Sequence, residues 1–264
     1  MAAGSFILST LAADEDSPMR SIRLFADTPL EPGLAVVLPA KAAAHALRVL
    51  RLKSGDAVML FNGDGHEYPA RLVTAGAREL RAEVTSRGSP VRESPLQVTL
   101  IQALARGEKM DWIVQKASEL GVARIVPATT ERSEVKLDAT RGEKRLEHWR
   151  AIAIAACEQC GRNVLPVIEP PVELSAWLKT TAAMKADARW MLHPDGVTRV
   201  RELSAMSPAA LALAVGPEGG FGDSDVAALR AHGFGELAMG PLILRTETAG
   251  VAAIAALQAL YGDW

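Results

Sequence analysis

The chain has 264 residues, 49% of them hydrophobic and 23% charged, which is ordinary globular usage and excludes a disordered chain. No window approaches the roughly 18 consecutive apolar residues of a membrane helix, and two cysteines exclude a disulfide scaffold and point to the cytoplasm. The net charge of −2 hides a split of −3 over residues 1–18, +5 over 19–165 and −4 over 166–264; with only 5% aromatics, any nucleic acid is expected to be held through its phosphates rather than by base stacking.

Along the chain, residues 1–18 carry no Lys or Arg and end in an acidic cluster. They lack the basic start and long apolar run of a secretory signal and are read as a loose extension, with Met19 a candidate start. Five short strands follow: IRLF (22–25), AVVLP (35–39), DAVMLFNGDG (56–65), EYPARLVTAG (67–76) and ELRAEVTS (79–86). Gly63-Asp64-Gly65 reads as a hairpin turn. One helix interrupts over Lys41–Leu50, with Ala44, Leu47 and Leu50 as its apolar residues. The pattern predicts a small β-barrel-like domain over residues 19–88 and a Pro- and Ser-containing linker over 89–95.

From residue 96 strands alternate with helices. Strands are expected at 96–104, 124–128, 164–169, 188–192, 210–215 and 235–239. Helices are expected at Glu108–Leu120, Thr140–Cys160, Leu174–Met184, Asp223–His232 and Thr246–Leu260. This alternation predicts an α/β domain whose parallel sheet is covered on both faces. Trp112, Trp149, Trp177 and Trp190 fall in these patterns and read as core. Cys157-Glu158-Gln159-Cys160 has redox or metal spacing but no second ligand pair, so both thiols read as packing residues. The five histidines form no metal-ligand pattern.

Two loops carry the chemical signal. The run from Val215 through Gly216-Pro217-Glu218-Gly219-Gly220 to Gly222 follows an apolar strand and precedes a helix. Ligands of open α/β sheets bind at the carboxyl ends of strands, and glycine lets backbone approach them. The run is neither a dinucleotide fingerprint nor a phosphate loop, and a plain turn capped by Asp223 is the competing reading. The second run, Met239–Ala249, places Arg245 at a helix start, against the macrodipole. That placement calls for an anion, a substrate or a carboxylate partner such as Glu218 or Glu247; a surface salt bridge is the simpler alternative.

Several runs together resemble the bacterial small-subunit ribosomal RNA methyltransferase E family of the SPOUT superfamily. They are Glu119-Leu120-Gly121-Val122, Arg124–Pro127, Glu131-Arg132-Ser133, Glu158-Gln159 with Arg162, Leu192-His193-Pro194, GPEGG (216–220) and LILRTETA (242–249). They stand in the family's order, and the segment around His45, Arg48 and Val49, followed by Gly55 and Asp56, resembles the family's N-terminal domain, so the resemblance spans about residues 19–261. Met239 departs from the family's usual Leu, and Cys160 from its usual small polar residue.

The resemblance implies a PUA-like RNA-binding domain over 19–88 and a SPOUT α/β domain with a deep trefoil knot over 96–264. It implies S-adenosylmethionine as cofactor, no metal, methylation of N3 of one uridine in 16S rRNA, and a cytoplasmic homodimer. The small Ala-rich helix from Thr246, with Val251, Ile254, Leu257 and Leu260, is the expected subunit contact. The cofactor would be held by Leu192, His193, Pro194, Gly216, Pro217, Glu218, Gly219, Gly220, Met239, Gly240, Pro241, Leu242, Ile243, Leu244 and Thr248. Candidates for catalysis are Arg245, Arg132, Arg162 and Glu218, with Glu131 as a second possible proton acceptor. Candidates for RNA contact are Arg20, Arg23, Arg48, Arg51 and Arg132. The rival readings are a related enzyme acting on another RNA or base atom, and a catalytically inactive RNA-binding assembly factor.

Overall fold

A computed structural model describes residues 22–75, 79–135, 138–180 and 186–264. The N-terminal unit is a five-stranded sheet in the order β1-β3-β4-β5-β2. Its strands are β1 (Arg23–Phe25), β2 (Ala35–Val37), β3 (Ala57–Phe61), β4 (Tyr68–Ala75) and β5 (Glu79–Val84). Alternation sets the core face: β5 buries Leu80, Ala82 and Val84 and turns Arg81 and Glu83 to solvent. The β3–β4 connection is the expected hairpin, with Gly63 and Gly65 at φ +93° and +90°. The helix expected over Lys41–Leu50 is instead α1 (Ala40–Ala44) followed by a π-helical turn, His45–Val49. The change of period buries Ala43 and Ala46 and leaves Leu47 and Val49 exposed, so the apolar face differs from the one expected.

The second sheet is wholly parallel, in the order β11-β13-β10-β12-β6-β7-β8, with β9 also paired to β7. The strands β6 (Gln97–Ala103), β7 (Arg124–Thr129), β10 (Ala188–Leu192), β12 (Ala210–Val215) and β13 (Gly235–Ala238) match the expected positions closely. Along β12, Leu211 and Leu213 face one apolar core while Ala212 and Ala214 face another, as a sheet covered on both sides requires. The first core holds α2 (Lys109–Glu119), α3 (Ala139–Cys160) and α6 (Thr246–Tyr261); the second holds α4 (Leu174–Thr180) and α5 (Asp223–Ala231). Trp149 and Trp177 are buried, whereas Trp112 is exposed, contrary to its core assignment.

Three expectations change here. The strand expected over 164–169 shrinks to β8 (Val167–Ile168), and β9 (Val172–Glu173) resumes beside β7 after Pro170 and Pro171. Prolines lack the N–H a ladder needs. Neither β11 (Thr198–Arg199) nor the 3₁₀ turn Val200–Ala205 was expected. The helix expected to start with a capping Asp223 is capped otherwise: Asp225 accepts from Gly222 N at 3.0 Å, and Glu131 accepts from Ser224 N at 3.2 Å. Of the helix expected over Leu174–Met184, the residues after Thr180 lie outside the described ones.

One crossing organises the sheet edge. Leu192 at the end of β10 and Thr198 at the start of β11 both pair with Leu237 of β13. Residues 193–197 therefore pass over β13 itself. A Cβ on Gly196 would lie 2.9 Å from both Ala238 N and Leu237 C, so only glycine fits this crossing.

The two units are joined by buried polar contacts. Arg23 hydrogen-bonds the Asn163 side chain and, at 3.1 Å, the Arg162 carbonyl, pairs with Glu67 at 3.3 Å, and lies 4.9 Å from the Phe61 ring centroid. Phe25 N donates to Glu158 at 2.9 Å. Burial pushes the Glu158 carboxyl above the usual range, against the lowering effect of that hydrogen bond. Arg162 pairs with Glu93 at 2.7 Å and donates to the carbonyls of Ser118 at 2.9 Å and Val122 at 3.0 Å. Arg162 thus leaves the set of catalytic candidates, and Arg23 the set of RNA contacts: each guanidinium is almost fully occupied inside the protein. Glu93, inside the stretch expected as a linker, also accepts from Val164 N at 3.2 Å.

Two outcomes follow for unfolding by denaturant. Gly196→Ala lowers stability by about 1–3 kcal/mol, the usual cost of forcing atoms into a filled space. Arg162→Ala costs about 2 kcal/mol or more, somewhat below the scale for a fully buried pair because Glu93 retains some exposure. The activity that the resemblance implies, measured per folded molecule, is unchanged in Arg162→Ala; a selective loss of rate would restore a catalytic role.

Candidate functional site

Three loops leave the carboxyl ends of neighbouring strands β10, β12 and β13 and enclose one cavity of about 650 Å³. Leu192, His193 and Pro194 form one wall; Gly216, Pro217, Glu218, Gly219 and Gly220 form the second; Met239, Gly240, Leu242, Ile243 and Leu244 form the third. Of the expected cofactor residues, only Pro241 and Thr248 do not border it. The glycines have local causes. A Cβ on Gly216 would lie 3.0 Å from Phe221 N, and Gly240 sits at φ +136°. Gly220 N closes a turn onto the Pro217 carbonyl at 2.9 Å. Leu242 and Ile243 are 77% and 85% exposed at the mouth, an apolar surface suited to covering a flat ring.

The polar groups are unequally committed. Glu218 accepts from Lys109 Nζ at 2.9 Å and from Arg106 N at 3.2 Å. Burial would raise its carboxyl, but these hydrogen bonds and the lysine charge hold it below the usual range. Lys109 also faces Glu247 at 3.5 Å, and its ammonium is held above the usual lysine range chiefly by the Glu218 hydrogen bond. Glu131 does not border the cavity; hydrogen bonds from the Ser224 hydroxyl and N–H hold its carboxyl low and tie it to the start of α5. Arg132 donates to the Gly219 carbonyl at 3.1 Å and Arg245 stands exposed where α6 begins; both line the cavity. Arg245 makes no side-chain hydrogen bond or ion pair with the described residues. His193 accepts from Asp195 N on Nδ1 at 3.2 Å, which fixes its ring.

The structure therefore brings Arg132, Arg245 and Glu218 together with the three loops, and leaves Arg162 and Arg23 at the junction between the units. Arg48 and Arg51 are exposed on the N-terminal unit and do not border the cavity. Arg51 is held at φ +56°, the one positive-φ non-glycine among the described residues. Arg20 lies outside the described residues. Sequence reasoning missed Lys109 and Thr246 as cavity residues; Lys109 meets Glu218 only through the fold, while Thr246, next to Arg245, lay inside the motif already singled out. Cys157 is buried but Cys160 is exposed, so only the first packs as expected. A hydrogen bond from Cys157 holds the Cys160 thiol down at about 6 and pushes Cys157 up. Among the described residues no His, Cys, Asp or Glu cluster could hold a metal.

Comparison with known proteins places this geometry. A family model described as an RNA methyltransferase domain matches residues 92–258, and one described as an RNA methyltransferase PUA domain matches 38–85. A methyltransferase from Legionella pneumophila, solved with bound SAM, is 39% identical, with a TM-score of 0.88 covering 93% of this chain and 100% of that one. A ribosomal RNA small subunit methyltransferase E from Neisseria gonorrhoeae, bound to S-adenosyl methionine, is 35% identical, with a TM-score of 0.84 covering 92% and 99%. The ribosomal RNA small subunit methyltransferase E of Buchnera aphidicola subsp. Schizaphis graminum is 32% identical over 86% of this chain and 92% of its own. With these relatives and both family models matched along the same two units, the chain belongs to the ribosomal RNA small subunit methyltransferase E family.

Proposed function

We propose that this chain transfers the methyl group of S-adenosylmethionine to N3 of one uridine in 16S rRNA, acting in the cytoplasm as a homodimer. One observation carries the reading: a single cavity walled by three strand-end loops, with one occupied and one unoccupied guanidinium at its mouth. The residues fit the cofactor. Gly216 leaves backbone where a side chain would clash, and Leu242 to Leu244 offer the apolar cover an adenine needs. When bound, the cofactor supplies a methyl group already activated by its sulfonium.

The chain's own task is to provide and align an N3 anion. Uracil N3 carries a proton at neutral pH and is a poor nucleophile while it does. Glu218 and Glu131 are carboxylates held ionised below their ordinary range by hydrogen-bond donors, which makes them weak bases. Arg245 is free to face the negative charge that spreads onto the uracil carbonyls, as preorganised donors do for other oxyanions. Arg132 spans the Gly219 carbonyl and the cavity, and so shapes the loop as well as the charge.

The division of labour follows the two units. The domain of residues 19–88 holds RNA phosphates through exposed cations such as Arg48 and Arg51, residues 89–95 join the two units, and residues 96–264 hold the cofactor. The passage of residues 193–197 over β13 supports a knotted SPOUT arrangement. For the subunit contact, Ile254 and Leu257 are already buried within the chain. On α6 and the segments flanking it, the large apolar residues left exposed for a partner are Leu242, Ile243, Leu260 and Trp264.

Three measurements test this. Single-turnover methyl transfer rises with pH toward the uracil pKa, and Arg245→Ala slows it by about 10²-fold while keeping cofactor affinity; an undiminished rate refutes the mechanism. RNA affinity falls steeply with salt, and replacing Arg48 and Arg51 by Ala lowers the log–log slope by about one per lost phosphate contact without affecting cofactor binding. Sedimentation at micromolar concentration gives a dimer, which Ile243→Asp dissociates; an active monomer would contradict the subunit contact.

A further inference from the structure

We infer that Gln102 is a positioning residue that ties the cofactor loop after β12 to the start of α6, although its own side chain does not border the cavity. Gln102 is the next-to-last residue of β6, is fully buried, and pairs in register with Val215, the residue before Gly216. Its Nε2 donates to the Thr246 hydroxyl and to the Ala103 carbonyl, both at 3.0 Å. The Thr246 hydroxyl in turn donates to the Gly216 carbonyl at 2.6 Å. A chain of two hydrogen bonds thus runs from the middle of the sheet, through the first residue of α6, to the first residue of the cofactor loop. Thr246 directly follows Arg245, so the relay also sets where that guanidinium sits relative to the loop.

The cost of this arrangement is visible. Gln102 Oε1 is buried with no hydrogen-bond partner among the described residues, and a Cβ on Gly250 would stand only 3.4 Å from it. A buried amide with an unsatisfied acceptor disfavours the fold, and an apolar side chain of the same length would remove that penalty. An amide whose benefit lay in stability would not be expected here. Its donor end, aimed at Thr246, gives the benefit a place in the site, where departures from local rules are concentrated. This inference rests on the proposed methyl transfer and adds a residue that acts on it through another.

The test uses the full chain with S-adenosylmethionine and small-subunit rRNA, and reads thermal midpoint, cofactor affinity by calorimetry and single-turnover rate at saturation. Gln102→Met keeps or raises the midpoint, holds the cofactor dissociation constant within about threefold, and slows transfer about tenfold or more, as misplacement of reacting groups does. Thr246→Val gives the same loss of rate, Thr246→Ser restores the greater part of it, and Gln102→Met with Thr246→Val is no slower than the slower single variant, as expected of groups acting as a unit. Full rate in both Gln102→Met and Thr246→Val overturns the inference, as does a loss of rate matched by an equal loss of folded protein. Arg245→Ala separates the two readings: full rate there refutes the role of Arg245, while a slow Arg245→Ala beside a fast Gln102→Met refutes only the link.

Discussion

Backbone passing over backbone at Gly196 is the constraint on which the rest of the site depends. Strands β10 and β11 are consecutive in the chain, yet β13 lies between them, so the segment joining them must cross it. A methyl group at the crossing would meet the β13 main chain at 2.9 Å. The crossing segment begins with His193 and Pro194, which form one wall of the cavity, and the strand it crosses runs into Met239 and Gly240, which belong to another. Two walls distant in sequence are thereby held at a fixed separation by covalent connectivity and close packing, with little dependence on side-chain chemistry.

Within that frame the charges sort by what surrounds them. Arg23 is largely buried and bonds from the first sheet to Asn163 and the Arg162 carbonyl of the second unit, while the Arg162 guanidinium ties Glu93 of the connecting stretch to the carbonyls of Ser118 and Val122. Lys109 is spent on Glu218 and Glu247. Arg245, exposed at the start of α6, has no side-chain partner among the described residues, where the helix dipole disfavours it and a substrate anion would compensate. A cation with no partner among the described residues, beside a cavity whose carboxylate Glu218 is already held by Lys109, is an arrangement better suited to a transient anion than to a stable fold.

The junction matters for function as well as stability. Phe25 N–H on Glu158, Arg23 on Asn163, and Arg162 on Glu93 all bear on the C-terminal end of α3 and the turn that follows it. The run Glu158-Gln159 with Arg162, which carried part of the family resemblance, is in this way explained by the docking of the two units rather than by chemistry on the substrate. These contacts set the first sheet against the end of α3.

Much of this was legible in the amino-acid sequence because its causes are local. Strand β12 is a continuous apolar run, α2 repeats its apolar residues at helical spacing, and the glycines of the two strand-end loops stand where backbone must approach a ligand. The sequence by itself therefore determined the two-part architecture and the loops after β12 and β13; the third loop, Leu192-His193-Pro194, and the meeting of all three at one cavity were expected only through the family resemblance. What only the tertiary structure decided concerns partners far apart along the chain. Arg162 finds Glu93, Lys109 finds Glu218 and Gln102 finds Thr246 across separations of 69, 109 and 144 residues, and no local pattern marks such pairs. The two-residue strands β8, β9 and β11 likewise exist because a neighbouring strand supplies their hydrogen bonds, not because two residues have any period to read.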